Sequence, residues 1–259
     1  MDMYKERYIA FIDILGFKDI IHKTYKSEIE FKRLKDTIEY IDFLRKRNYE
    51  SPLGAELSKT EFSLFSDSIV LSYPDGSPFS ILFEISSLCV ELIDRGYIFR
   101  GGITFGPLIH EGQICYGPAM NRVVALEKQA QYPRVMVEPI VVQRGIKYPV
   151  LYGDSVREER AIKRDLCIEG KEMFLDYLGQ AKRTMGQKDY ICFMKNVREC
   201  IFSGLMEIVK KINICSNNIE NLKKMERVRE KYIWLSRYYN NTIEKCLGIQ
   251  ELLIDYVNV

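Results

Sequence analysis

The hydrophobic pattern divides the chain into a long first part, where strand and helix signals alternate, and a last part with helix signals alone. Residues 7–13, inside "YIAFIDILGF", are a nearly continuous apolar run that predicts a buried strand, and Gly16 stands where a strand-to-helix turn belongs. From Ser27 to about Arg47, Ile29, Phe31, Leu34, Ile38, Ile41 and Leu44 recur near helical period with charges between them. "SPLG" at 51–54 reads as a loop. "FSLFSDSIVLSY", 62–73, alternates and predicts two strands around a tight bend at Ser66-Asp67-Ser68. Residues 77–96 predict a helix with Ser77 as N-cap, Pro78 in its first turn and Gly96 at its end. A strand over 97–109, a helix over 116–131 opened by Gly-Pro, and a short strand in "RVMVEP" follow. Residues 165–178 read as a hairpin turning at Gly170-Lys171. From about Lys188 to Tyr256 the pattern gives two or three long helices and no strand. Leu222, Met225, Val228, Tyr232 and Leu235 form one helical stripe there, expected to pack on the core or on another protomer.

Strand–helix–strand–strand–helix–strand is the split βαβ, ferredoxin-like order. The expected fold is therefore α+β, with a βαββαβ core over 1–180 and a helical extension over 181–259.

Composition narrows the function. A net charge of +2 gives no electrostatic case for nucleic acid. No run of 18 apolar residues suggests a membrane span, and the charged start "MDMYKERY" does not read as a signal peptide. Seven cysteines without CxxC spacing, and only His22 and His110, argue against a zinc site and for reduced thiols in the cytoplasm.

The chemistry centres on two acids. Asp13 interrupts an apolar run, where an unpartnered carboxylate is costly. In the βαββαβ layout the first strand lies beside the central hairpin. Asp13 at its end and Asp67 at the bend then project at one end of the sheet. Two carboxylates that close repel unless a cation neutralises them. Mg²⁺ or Mn²⁺ suits the pair, because hard cations take oxygen ligands and leave places for substrate phosphates. Backbone N–H groups after Asp13, at Leu15, Gly16 and Phe17, can cradle a triphosphate at the start of the next helix. The alternative is that Asp13 merely caps that helix.

Three segments resemble class III nucleotidyl cyclases: "FIDILGF" their first metal motif, "FSLFSDSIV" their second, and "RGGITFGPLI…YGPAMNRVVALE" their "RIGIHTGP…WG…VNxASRLE" stretch. The likeness covers about residues 7–140 and extends towards the hairpin ending at 178. It implies a head-to-tail homodimer with composite sites, in which the 3′-oxygen of a nucleoside triphosphate joins its α-phosphate and pyrophosphate leaves. It implies two metal ions per site, on Asp13, Asp67 and the Ile14 carbonyl: one lowers the pKa of the ribose hydroxyl, the other holds the triphosphate. Asn121 matches the helix Asn that orients the ribose from the partner protomer. The family's transition-state Arg falls on Ala125, with Arg122 or Arg100 as possible substitutes. The triphosphate Lys matches best at Lys171. The two purine-reading positions fall on Ser63 and Ile114, and an apolar Ile cannot read a base edge.

Retained acids, lost purine readers, a compact 107–116 connection and a helical tail resemble the Pycsar-type pyrimidine cyclases of bacterial antiphage defence. That resemblance implies cyclic UMP or cyclic CMP as product, UTP favoured, acting on a downstream effector protein. "REKYIWLSRYYNN" is also similar to the "KYxWLxxYHN" ending of cyclase-like bacterial proteins of unassigned role. The competing reading is a non-catalytic nucleotide-binding or regulatory protein on the same fold. A palm-polymerase or diguanylate-cyclase relative would need paired acids after Gly-Gly at the hairpin, where "FSDS" has one acid.

Overall fold

In the computed structural model, residues 4–50, 60–150, 153–214 and 219–256 are described. The expected loop at 51–54 lies outside them. β1 (Lys5–Ile14) leads through α1 (Phe17–Thr24) and α2 (Glu28–Glu50) to the hairpin β2 (Glu61–Phe65) and β3 (Ser68–Pro74). α3 (Pro78–Asp94) and β4 (Phe99–Glu111) complete the βαββαβ unit. Then come β5 (Ile114–Tyr116), α4 (Pro118–Gln129), β6 (Val135–Val137), α5 (Pro139–Lys147) and α6 (Ser155–Arg164). The hairpin β7 (Leu166–Glu169) and β8 (Glu172–Leu175) precedes α7 (Tyr177–Thr184), α8 (Gln187–Ile214), α9 (Ile219–Cys246) and a 3-10 turn, Gln250–Leu252. The sheet runs β2-β3-β1-β4-β6-β8-β7, with β5 paired to β4. The fold is thus the α+β architecture the pattern predicts, with a helical C-terminal part.

Strand periodicity decides which way Asp13 faces. On β1, Tyr8, Ala10, Ile12 and Ile14 enter the main core, while Ile9 and Phe11 join the smaller cluster under α4. Asp13 shares their parity and so lies on the α4 face. β1 is flanked by β3 and β4, both antiparallel, and Asp13 stands opposite Ser68 on one side and Arg100 on the other. Gly101 lets those strands close up, since a Cβ there would come within 2.5 Å of the Phe11 carbonyl oxygen.

The tail belongs to the same core. Trp234 of α9 stacks on Tyr132 at 5.7 Å and meets Phe174 edge-on. Tyr238 donates from its hydroxyl to Asp176 at 2.9 Å and accepts from the Leu178 amide at 3.1 Å. Of the predicted stripe, Leu235 is buried, Tyr232 packs on the core, and Met225 and Val228 face α8 across a cavity. The division expected at 180 falls inside α7, and one apolar cluster runs across it.

Three helices escape the pattern. α5 and α6 fill a stretch read without structure, and α7 begins where the hairpin was expected to end. The 107–116 connection is also a hairpin of its own, because β4 continues to Glu111 and pairs with β5.

Candidate active site at the end of β1

The hairpin bend is pinned to the end of β1. Ser66 takes the left-handed conformation (φ 56°) that turns the chain, and the Ile14 amide donates to the Asp67 carbonyl at 2.9 Å. Asp67 and Asp13 thereby share one end of the sheet, each partly exposed. Burial pushes the Asp13 carboxyl above its ordinary range, Arg100 pulls it back, and the nearby Asp67 charge pushes it up again. Asp67 is thus near enough to Asp13 to disfavour its charged form.

α1 starts at this point. Gly16 is its N-cap, in the left-handed region (φ 73°), and no side chain caps it. The capping alternative for Asp13 is therefore ruled out. The Leu15 amide donates to the Ile98 carbonyl at 2.8 Å, which withdraws Leu15 from the expected cradle. Gly16, Phe17 and Lys18 keep first-turn amides without intrahelical acceptors. A hollow of about 540 Å³, walled by Phe17, Lys18, Ile21, Ser66 and Asp67 among others, opens beside them.

Arg100 holds the other side of Asp13. Its Nε lies 3.5 Å from Asp13 Oδ2 and faces Glu127 Oε1 of α4 as an ion pair without aligned hydrogen-bond geometry. Glu127 is 4% exposed, and burial raises its pKa, Arg100 opposing. Lys231 of α9 also belongs to this cluster: burial lowers its pKa, as does Arg100, while Asp13 and Glu127 raise it. Sequence reasoning missed both Glu127 and Lys231. Glu127 sits in the quoted "RVVALE" and Lys231 in "REKYIW", but only the fold places them beside Asp13.

Three other candidates, Arg122, Asn121 and Lys171, lie elsewhere. Arg122 is committed to Thr104 at 3.2 Å, the Phe105 carbonyl and Glu138 at 3.6 Å, several residues along β4 from Arg100. It is therefore not a charge at Asp13 within its own chain. Asn121 is exposed in the first turn of α4, and Ala125 is exposed one turn on. Lys171 caps the β7–β8 hairpin, whereas the register carries the level of Asp13 through Arg100 and Gly101 to the Leu175 end of β8.

Ser63 is held inside the sheet. It is 6% exposed, donates to the Gly112 carbonyl at 2.7 Å, and must therefore accept from His110 Nε2, also at 2.7 Å. His110 Nδ1 then accepts from Ser72 at 2.8 Å, and Ser72 Oγ accepts from Arg7 Nε at 2.9 Å. Both hydrogen-bonding roles of Ser63 are spent inside the sheet. Ile114 is 63% exposed and offers no polar atom.

Asp13 and Asp67 offer an all-oxygen donor pair beside the first-turn amides of α1, a pair that suits Mg²⁺ or Mn²⁺ with phosphate and water completing the shell. Among the described residues no third acid, His or Cys joins them closely enough to make an all-protein metal cage. No described helix is long and apolar enough to cross a membrane.

Solved structures similar to this chain include the adenylyl cyclase CyaB from P. aeruginosa, at 12% identity and TM-score 0.38, covering 56% of this chain and 83% of that one. The catalytic core of a rhodopsin-guanylyl cyclase with converted specificity, in complex with ATPalphaS, matches at 14% and 0.40, covering 66% and 94%. A bacterial light-regulated adenylyl cyclase matches at 14% and 0.40, covering 70% and 98%. Likeness at this level carries no argument about the site. No family model matches the chain, and no curated protein does.

Proposed function

We propose that the protein is a nucleotidyl cyclase that converts a pyrimidine nucleoside triphosphate, UTP in preference to CTP, into a 3′,5′-cyclic nucleotide and pyrophosphate. The observation that carries this reading is the convergence of Asp13 and Asp67 beside the open first turn of α1. Two divalent ions bound there would lower the pKa of the ribose 3′-hydroxyl and neutralise charge on the phosphates. The chain's own part is to hold both acids at one end of β1, to offer the amides of Gly16, Phe17 and Lys18 to phosphate oxygens, and to balance Asp13 with Arg100. Asn121, exposed on α4, suits a role on the nucleotide of a partner protomer in a homodimer. Lys171, at an exposed turn, suits the same arrangement.

The pyrimidine preference rests on missing partners. With Ser63 spent and Ile114 apolar, neither position can pair a purine edge, and each unmet hydrogen bond costs about 1–3 kcal/mol. The cyclic pyrimidine would serve as a messenger to an effector protein in antiphage defence. A second reading, a non-catalytic nucleotide-binding regulator, draws on Arg100: a guanidinium already neutralises Asp13, and Ala125 stands where the family has a cation.

Asp13→Ala and Asp67→Ala test the assignment. Each should abolish turnover while leaving the circular dichroism spectrum unchanged. Wild-type turnover in either variant would remove the metal assignment.

A further inference from the structure

A second cavity, of about 420 Å³, lies between the appended helices and the start of α1. That is within the size range of small-molecule sites. Neither Asp13 nor Asp67 lines it, and the hollow beside Asp67 is separate from it. Its walls are amphipathic. Ile20, Ile208, Met225 and Val228 supply apolar surface from α1, α8 and α9. Tyr232 fits beside them only because residue 204 is Gly, where a Cβ would come within 2.3 Å of the ring.

The charges are unbalanced. Lys23 and Lys211 both turn to one carboxylate, Glu207, at 3.1 and 2.8 Å. Arg33 pairs with Glu30. Lys224 and Lys231 line the same space and form no ion pair among the described residues. Asp19 is the one further acid in the wall, so cations outnumber acids. Lys224 is exposed and Lys23 and Lys211 are about half exposed, so water solvates them, while Lys231 is partly buried with Asp13 and Glu127 in electrostatic reach; the surplus of cations beside apolar walls makes the space attractive to an anion.

We infer that this cavity binds a small organic phosphate of nucleotide size as an effector, its phosphate held by Lys211, Lys224 and Lys231 and its body lying on Met225, Val228 and Tyr232. A phosphate dianion offsets the surplus charge, and the apolar wall favours an organic body over a bare anion. The site is placed to regulate. Leu15 and Gly16, two and three residues after Asp13, form part of its wall. Lys231 lies within electrostatic reach of Asp13 and Glu127, so an anion beside it changes the field at the acid cluster. Binding in this cavity is independent of cyclisation at Asp13 and Asp67.

The test is isothermal titration calorimetry of the full chain in EDTA. Uridine 5′-monophosphate, adenosine 5′-monophosphate, inorganic phosphate and pyrophosphate are titrated in separate arms. The expected result is saturable, salt-sensitive binding of one equivalent of nucleoside monophosphate without metal, tighter than that of either inorganic anion. Lys224→Glu and Lys211→Glu, both outside the proposed active site, should each weaken it by about tenfold or more. Asp67→Ala should leave it unchanged, and melting curves confirm that each variant folds. Absence of saturable binding in all four arms overturns the inference, as does binding lost in Asp67→Ala but kept in Lys224→Glu. Inorganic phosphate or pyrophosphate binding as tightly as the nucleotides overturns the organic-phosphate assignment.

Discussion

Ser63 as structural support predicts a pH dependence of stability that a free base-reading Ser63 would not. His110 lies between Ser63 and Ser72, and burial lowers its pKa from the ordinary 6.5 to about 4, with Glu61 raising it and Arg7 lowering it further. The unfolded chain takes up a proton near pH 6.5, and the folded chain does not until about pH 4. Across that window the unfolded state binds more protons, so stability falls as pH falls. At about 1.4 kcal/mol per pKa unit the full loss is about 3 kcal/mol, of which about 2 kcal/mol is gone by pH 5. Urea unfolding of wild type and His110→Gln at pH 7.5 and pH 5.0 isolates the effect, because every other titrating group is common to both. The variant should be less stable at pH 7.5, since it breaks the Arg7–Ser72–His110–Ser63 chain. Its further loss between the two pH values should be smaller than that of wild type by about 2 kcal/mol. Equal losses in the two proteins would refute the buried, neutral His110 and reopen Ser63 as a site residue.

Arg100→Gln removes the charge that pulls the Asp13 pKa down, so Asp13 should titrate at higher pH in the metal-free protein; Asp67→Asn removes a charge that pushes it up and should move the titration lower. Carboxyl NMR titration of Asp13 in EDTA reads both shifts, and no shift in either variant would refute the coupling. If sites are shared across a dimer, mixing inactive Asn121→Ala with inactive Asp67→Ala should restore part of the activity. Absence of recovery with subunit exchange confirmed, or a monomer by sedimentation, would exclude composite sites.

The parts of the fold legible in the sequence are those governed by local chemistry. The run into Asp13, the Ser-Asp-Ser bend and the Ser77-Pro78 helix start each carry their signal within a few residues, and the structure places all three as expected. α5 and α7 are short, with β-branched residues in one and Gly179 in the other, so propensity speaks against both. α6 is mostly charged and is started by Asp154, whose side chain accepts from the Arg157 amide. That cap was the available signal, but few apolar residues followed it to mark a face.

At the site, the two acids were legible because the βαββαβ order itself brings them together. Arg100 could be named but not placed, since its pairing with Asp13 depends on the β1–β4 register. Lys231 had no local signal: it reaches the cluster from α9, through packing of Trp234 and Tyr238 on Tyr132 and Phe174. Ser63 is the converse case. Its position in the motif suggested a pocket, while its hydrogen bonds come from residues of β4 and the turn after it.

The most direct measurement of the central claim is mass analysis of products after incubation of the purified protein with ATP, GTP, CTP and UTP at equal concentration, with Mg²⁺ and separately with Mn²⁺. The account predicts a cyclic pyrimidine nucleotide and pyrophosphate, UTP giving the largest yield, and no product from Asp13→Ala. A dominant cyclic purine would contradict the base-reading argument, and absence of any cyclic product with either metal, while nucleotide still binds, would contradict the cyclase assignment itself.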